Sequence, residues 1–186
     1  MELFPALRIG WLNGWLFLAL LVLTDAMTFL LFPRAVVARL FNRSGWSRKQ
    51  VVFTAVGKLV AAVSLALIIL TPLKIGHPVL VAGALTTAFG LAGLVWALVD
   101  FRRTATDQPV TRGLYGVSRH PQIVMSLFVL VGACLAIGSW SALVILIASR
   151  FFTHLGIMGE EEVCTEQYGD PYRAYLKRVP RYFFLF

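Results

Sequence analysis

Five apolar segments, each near the ~20 residues that a helix needs to cross a bilayer, dominate this 186-residue chain. They run over about residues 11–32, 51–70, 78–99, 121–137 and 140–158. Inside hydrocarbon a backbone must satisfy its own donors and acceptors, so segments of this length are expected to be helices. Apolar residues make up 59% of the chain and charged residues 14%. Soluble domains carry roughly 45–50% and about 25%. The expectation is an all-α integral membrane bundle of about five transmembrane helices with a short helix after the last span. The chain shows no repeat, low-complexity tract or long linker, so residues 1–186 are expected to form one membrane domain. No basic cluster or small-residue cleavage site precedes Trp11, so no secretory signal is expected.

The formal net charge is +8, which raises the question of nucleic acid. Its distribution gives a different answer. Fourteen Lys and Arg residues fall in the loops after spans one and three and in the C-terminal segment counted from Arg150, among them Arg34, Arg39, Arg43, Arg102, Arg119 and Arg181. Arg8 and Lys74 are alone on the other side, and Lys58 lies within span two. Positive loops stay in the cytoplasm. The N-terminus is therefore expected outside and the C-terminus in the cytoplasm, as an odd number of spans requires. Membrane topology and anionic lipid account for the charge, with no nucleic acid partner. Cys134 and Cys164 fall on opposite sides of the bilayer and are not expected to pair.

Residues 1–100 are expected to be scaffold. Ala84, Ala88 and Ala92, spaced by four, with Gly90 and Gly93, suggest a face for close helix approach. Asp25 in span one and Lys58 in span two are charges within spans, expected to pair with each other or, for Lys58, to snorkel.

Residues 101–186 carry the chemistry. Thr111–His120 reads TRGLYGVSRH and leads into Pro121, which suits the first turn of a helix. Gly113 and Gly116 flank Tyr115 and allow tight turns near a ligand. In span five, Arg150, His154 and Glu161 share a helical face. Glu160, Glu161 and Glu162 near the end of that helix oppose its dipole and call for cations, such as Arg119, Arg150 or a cationic ligand. The helix should stop near Tyr168-Gly169. A short helix follows, capped by Asp170 with Pro171 at its start and Tyr172 and Tyr175 on one face. The tail Tyr182–Phe186 is aromatic and expected to return to the membrane interface.

GLY and SRHP, then a membrane hairpin, then EExxC, YGxxYxxY and VPR together resemble the isoprenylcysteine carboxyl methyltransferase and phospholipid methyltransferase superfamily. The resemblance covers about Val110 to Arg181. It implies S-adenosylmethionine as methyl donor, held at the cytoplasmic end of the last two spans, and an acceptor arriving from the bilayer. The superfamily's RHP matches Arg119, His120 and Pro121. Its paired acids match Glu160 and Glu161, and its aromatic-Gly-x-x-Tyr element matches Tyr168, Gly169 and Tyr172. Two positions depart from the pattern: Ile123 replaces a common Tyr, and Cys164 replaces a common Leu.

The resemblance and the residue types together give a candidate site. Arg119, His120 and Glu161 are the expected catalytic residues. Gly113, Tyr115, Pro121, His154, Glu160, Tyr168 and Tyr172 join them around the cofactor. A sulfonium methyl is already activated, so the chemistry needs no metal. It needs alignment of the nucleophile and exclusion of water. Arg119 and His120 suit the donor's carboxylate, Glu160 or Glu161 its ammonium or a ribose hydroxyl, and the tyrosines its adenine or sulfonium. The acceptor is expected to be a lipid or lipidated small molecule, such as an isoprenylcysteine carboxylate or a phospholipid amine. It is expected to enter laterally, between span five and one of the scaffold spans, where small residues such as Ala84, Ala88 and Gly132 either leave room for a chain or mark tight helix packing. Membrane sterol reductases, which use a nicotinamide cofactor, share a similar C-terminal pattern, and a non-enzymatic protein with the inherited fold is a third class. The short chain and paired Glu favour methyl transfer.

Overall fold

A computed structural model describes residues 1–183. Among them lie seven α-helices and no β-strand: α1 (Trp15–Leu31), α2 (Arg34–Leu40), α3 (Arg48–Leu70), α4 (Pro78–Arg103), α5 (Pro121–Ala136), α6 (Trp140–Tyr168) and α7 (Asp170–Arg178). The 3-10 turn Gly113–Gly116 precedes α5. Of these, α3, α4 and α6 are long and apolar enough to cross a membrane, and α1 and α5 are shorter apolar helices. The protein is a membrane helical bundle whose outer face is apolar: Leu59, Leu85, Val144 and Phe151 are all exposed.

Local sequence sets the helix ends. Ser47 and Gln50 form a reciprocal capping box, so α3 starts before the apolar run does. The turn between α5 and α6 is three residues long, with Gly138 at φ +66° and Ser139 Oγ accepting from Ala142 N at 3.2 Å. At 29 residues, α6 is about 44 Å long, more than the ~30 Å of a bilayer core. Its apolar stretch ends near Met158, and Gly159–Tyr168 is predominantly polar.

The most extensive packing pairs α4 with α5 and α3 with α6, while the consecutive α5 and α6 pack much less on each other. The α4 face in contact is Gly83, Thr87, Gly90, Leu94 and Ala97, all buried. Ala84, Ala88 and Ala92 are exposed, which corrects the expected packing stripe. The reason is steric. A Cβ on Gly83 would sit 2.5 Å from the Gly132 carbonyl, and one on Gly90 would sit 2.7 Å from Val129 N. The two backbones approach so closely that alanine does not fit. Gly132 fills the same contact from α5, so it marks tight helix packing.

At the end where α4 finishes and α5 begins, the two helix pairs are separated by a cavity. This end, called the site end below, carries α2, the 3-10 turn and α7. At the other end the N-terminal segment closes the bundle, with Glu2 N donating to Gly138 O at 2.7 Å and Glu2 paired to Lys74. Of the aromatic tail, Phe184–Phe186 lie outside the described residues.

Candidate active site

The segment entering α5 is held from both sides. Asp100 at the end of α4 packs against Gly113, whose φ of +58° and contact with that carboxylate both require glycine. Tyr115 is buried, and its carbonyl accepts from the Tyr175 hydroxyl at 2.7 Å. Arg119 N donates to Pro180 O at 3.0 Å, and Ser118 Oγ donates to Arg181 O at 2.9 Å. The SRHP and VPR motifs, about 60 residues apart in the chain, are thus one backbone-laced unit. His120 caps α5 at φ −126° and ψ 57°, with Pro121 buried behind it at the first position of the helix. That fixes the direction in which the Arg119 and His120 side chains leave the chain.

Glu161 on α6 gathers the cations. Its Oε1 lies 3.2 Å from His120 Nε2, and Arg181 donates from Nε to Oε1 at 3.0 Å and from Nη2 to Oε2 at 2.6 Å. Arg119 Nε is 3.2 Å from the same Oε1 but off the hydrogen-bonding direction, which leaves that buried N–H without a partner. Burial alone would raise the Glu161 carboxyl. The His120 and Arg181 hydrogen bonds and the Arg119 charge outweigh it and hold the group at about 2. Glu161 is an internal brace that fixes two arginines and a histidine. It does not line the cavity. Glu160, beside it, does; its Oε2 is 3.9 Å from His120 Nδ1 and its side chain is half exposed. Glu162 is held instead by Gln50 Nε2 at 2.9 Å.

The cavity has a volume of about 580 Å³, within the 300–1,000 Å³ range usual for small-molecule sites. Tyr115, Arg119, His120, Glu160, Tyr168 and Tyr172 line it together. Tyr172 and Tyr175 are buried on one face of α7, and burial raises both phenols, so both stay protonated at neutral pH. Burial likewise pushes the Cys164 thiol up to about 11, which makes a thiolate nucleophile there a poor prospect.

Gly169, at φ +62°, both ends α6 and caps α7, so Asp170 is the first helical residue of α7 rather than its cap. Asp170 accepts from Arg173 at 2.8 Å.

Three further expected residues lie off the cavity wall. His154 Nδ1 is 2.8 Å from the Tyr182 hydroxyl. Gly113 and Pro121 act through backbone shape. Arg150 does not reach the acidic run; its Nε donates to Ser149 Oγ, and it lines the deeper part of the cavity. Asp25 and Lys58 do not pair with each other among the described residues; both line the same cavity. Trp46 and Gln122 line it too and were not singled out from sequence. The one sequence signal for Gln122 was its place directly after the HP pair.

Arg39 of α2 closes the site end. It donates to Ala105 O at 3.1 Å and to Gln108 O at 2.6 Å, with its guanidinium 4.9 Å from the centre of the Phe101 ring and 5.7 Å from that of Tyr168.

A family model described as phospholipid methyltransferase matches residues 75–171. The match runs from just before α4 into the start of α7 and includes Arg119, His120, Glu160 and Glu161. No curated protein and no solved structure matches the chain.

Proposed function

The chain belongs to the phospholipid methyltransferase family, and we propose that it transfers a methyl group from S-adenosylmethionine to a lipidic or lipid-linked acceptor. The observation that carries this reading is the convergence of Arg119, His120 and Glu160 on one wall of a cavity that extends into the membrane bundle. The donor's sulfonium supplies an activated methyl, so the protein's task is binding, alignment and exclusion of water.

The residues present fit such a donor. Arg119 lines the cavity, and its guanidinium suits a carboxylate. Glu160 offers a half-exposed carboxylate for an ammonium or ribose hydroxyl. Tyr168 and Tyr172, with ring centroids 6.3 Å apart, offer aromatic faces for a base or a cationic sulfur. His120, hydrogen-bonded to Glu161, is the residue placed to hold or take a proton at Nδ1, the nitrogen nearer Glu160. The charge asymmetry of the loops supports a cytoplasmic site end, open to a water-soluble donor. The near absence of extramembrane mass favours an acceptor drawn from the bilayer, whether an isoprenylcysteine-like carboxylate or a phospholipid amine.

The test is calorimetry on detergent-purified protein with S-adenosylmethionine, its demethylated product and a reduced nicotinamide nucleotide. Binding of the first two in the micromolar range is expected. At 100 times its dissociation constant such a ligand should add about 2.7 kcal/mol to stability. Binding of the nicotinamide nucleotide alone would favour the reductase class. Incubation of lipid extracts with labelled donor, followed by mass analysis of the products, then identifies the acceptor.

A further inference from the structure

Beyond the donor-binding residues, the cavity continues into the level of the membrane, where its wall changes character. Asp25 from α1, Lys58 from α3 and Arg150 from α6 all line it. None has an ion-pair partner among the described residues. Charged side chains at this depth are costly and normally paired. Trp46 Nε1 and Thr54 Oγ1 are buried on the same wall without a hydrogen-bond partner, and Thr54 is only 8% exposed. Trp, Lys and Arg side chains can donate but not accept. Arg150 donates from Nε to Ser149 Oγ. Among the described residues the wall thus carries two cations without an ion-pair partner and two unpartnered polar atoms, Trp46 Nε1 and Thr54 Oγ1.

These groups are arranged by depth. Gly156 of α6 packs against Thr54 and Trp46, and Gly57 of α3 packs against Ser149 and Thr153. Thr54 and Lys58 are four apart and share one face of α3. Lys58 thus lies one turn deeper than Thr54, at the level of the Arg150 turn. Arg150 precedes Glu161 by eleven residues, or about 16 Å along α6. With Asp25 ionised, the three charged side chains leave one net positive charge.

We infer that Lys58 and Arg150, with the Trp46 and Thr54 donors above them, form a seat for a single anionic oxygen group of a membrane lipid. This rests on the methyl-transfer reading in one respect only: there, the seat positions the acceptor. A phosphate diester and a carboxylate share the chemistry the wall recognises. Lys58 and Arg150 are positioning residues, and Arg150 is set apart from Glu161 by about three helical turns along α6.

The test follows thermal unfolding of the full chain in neutral detergent on addition of dioleoylphosphatidylglycerol, oleate or dioleoylglycerol. At least one anionic lipid should raise Tm, and dioleoylglycerol should not. Which anion gives the larger rise separates phosphate diester from carboxylate. Lys58→Gln and Arg150→Gln should each reduce the rise and the double variant abolish it. Lys58→Arg, and Arg103→Gln at the exposed end of α4, should keep it. In methyl-transfer assays the Gln variants should raise the acceptor KM by about tenfold or more, with kcat and donor affinity unchanged. An equal rise with dioleoylglycerol, or a rise retained in the double variant, would overturn the seat. No methyl transfer by any form, with the anion-dependent rise still lost in the double variant, would retire the catalytic reading and leave the seat standing.

Discussion

The Tyr175 hydroxyl donates to the Tyr115 carbonyl at 2.7 Å and so ties α7 to the turn that enters α5. Both residues are buried. The bond closes a ring of contacts around the cavity: the turn positions Arg119 and His120, and α7 brings up Tyr172. Tyr175→Phe leaves the Tyr115 carbonyl buried and unpaired, which typically costs ~1–3 kcal/mol. Thermal unfolding in detergent should show a lower Tm. Donor affinity should fall several-fold, because the turn loses one of its anchors. A variant with wild-type Tm and affinity would mean that packing alone holds α7 in place.

Contact between α4 and α5 makes a second prediction, with an internal control. Gly90→Leu forces a side chain against the Val129 amide and the Met125 carbonyl, 2.7 and 2.8 Å from where its Cβ would lie. Overpacking of this kind costs about 1–3 kcal/mol or more. The neighbouring Ala88→Phe points to the exposed face and should leave both Tm and acceptor KM unchanged. Circular dichroism melts of the two variants side by side decide the matter. Loss of stability in Ala88→Phe but not in Gly90→Leu would reverse the assignment of the α4 face.

The gap between sequence and structure on α4 has a physical cause. Small residues at a spacing of four are visible in sequence, but a spacing of seven (Gly83, Gly90, Ala97) is what faces α5. Both sets are small, and hydropathy does not separate a lipid-facing alanine from a packing glycine. The five apolar helices and the break at Gly169 were legible because length, apolarity and glycine act locally. The RHP and paired-acid motifs were legible as residues that meet at one end of the bundle. The split of roles between the two acids was not, since Glu160 facing the cavity and Glu161 bracing Arg119 and Arg181 depends on where α6 rotates against α5. Trp46 and Gln122 carry no local pattern. Only the meeting of α3, α5 and α6 makes them neighbours of one cavity.

The Glu161 brace should make stability depend on pH in a defined direction. Its folded value of about 2 lies below the ~4.3 of a free glutamate. A lowered carboxyl stabilises the fold above its unfolded value and loses that effect as pH falls through the folded one. The wild-type Tm should therefore fall between roughly pH 5 and 2 through this group. Glu161→Gln removes the dependence and should show a flatter profile over that window. At pH 7 the variant should be less stable, by about 3–5 kcal/mol for a broken buried ion pair. Identical pH profiles for the two proteins would show that Glu161 does not carry the linkage.

The last prediction concerns Arg39. Its two hydrogen bonds reach the carbonyls of Ala105 and Gln108, and its guanidinium lies over Phe101 and Tyr168. One side chain of α2 thus holds the loop after α4 against the residues that line the cavity mouth. The Tyr168 hydroxyl also donates to Thr106 O, at a longer 3.4 Å, so Arg39 is the principal tie. A planar fork with several donors suits two carbonyls and a ring face at once, and lysine cannot reproduce it. Arg39→Lys should weaken the tie, and Arg39→Ala should release it. Hydrogen exchange over residues 104–109 should accelerate in the order wild type, Lys, Ala. If the loop helps retain a bound nucleoside, donor dissociation should quicken by about tenfold in the Ala variant, equivalent to ~1.4 kcal/mol. The rate of the chemical step in single-turnover experiments should be unchanged, because Arg39 lies outside the Arg119–His120–Glu161 cluster. Faster exchange without faster donor release would show that the loop is tied by Arg39 but does not gate the site. Unchanged exchange would show that the loop is held by other contacts.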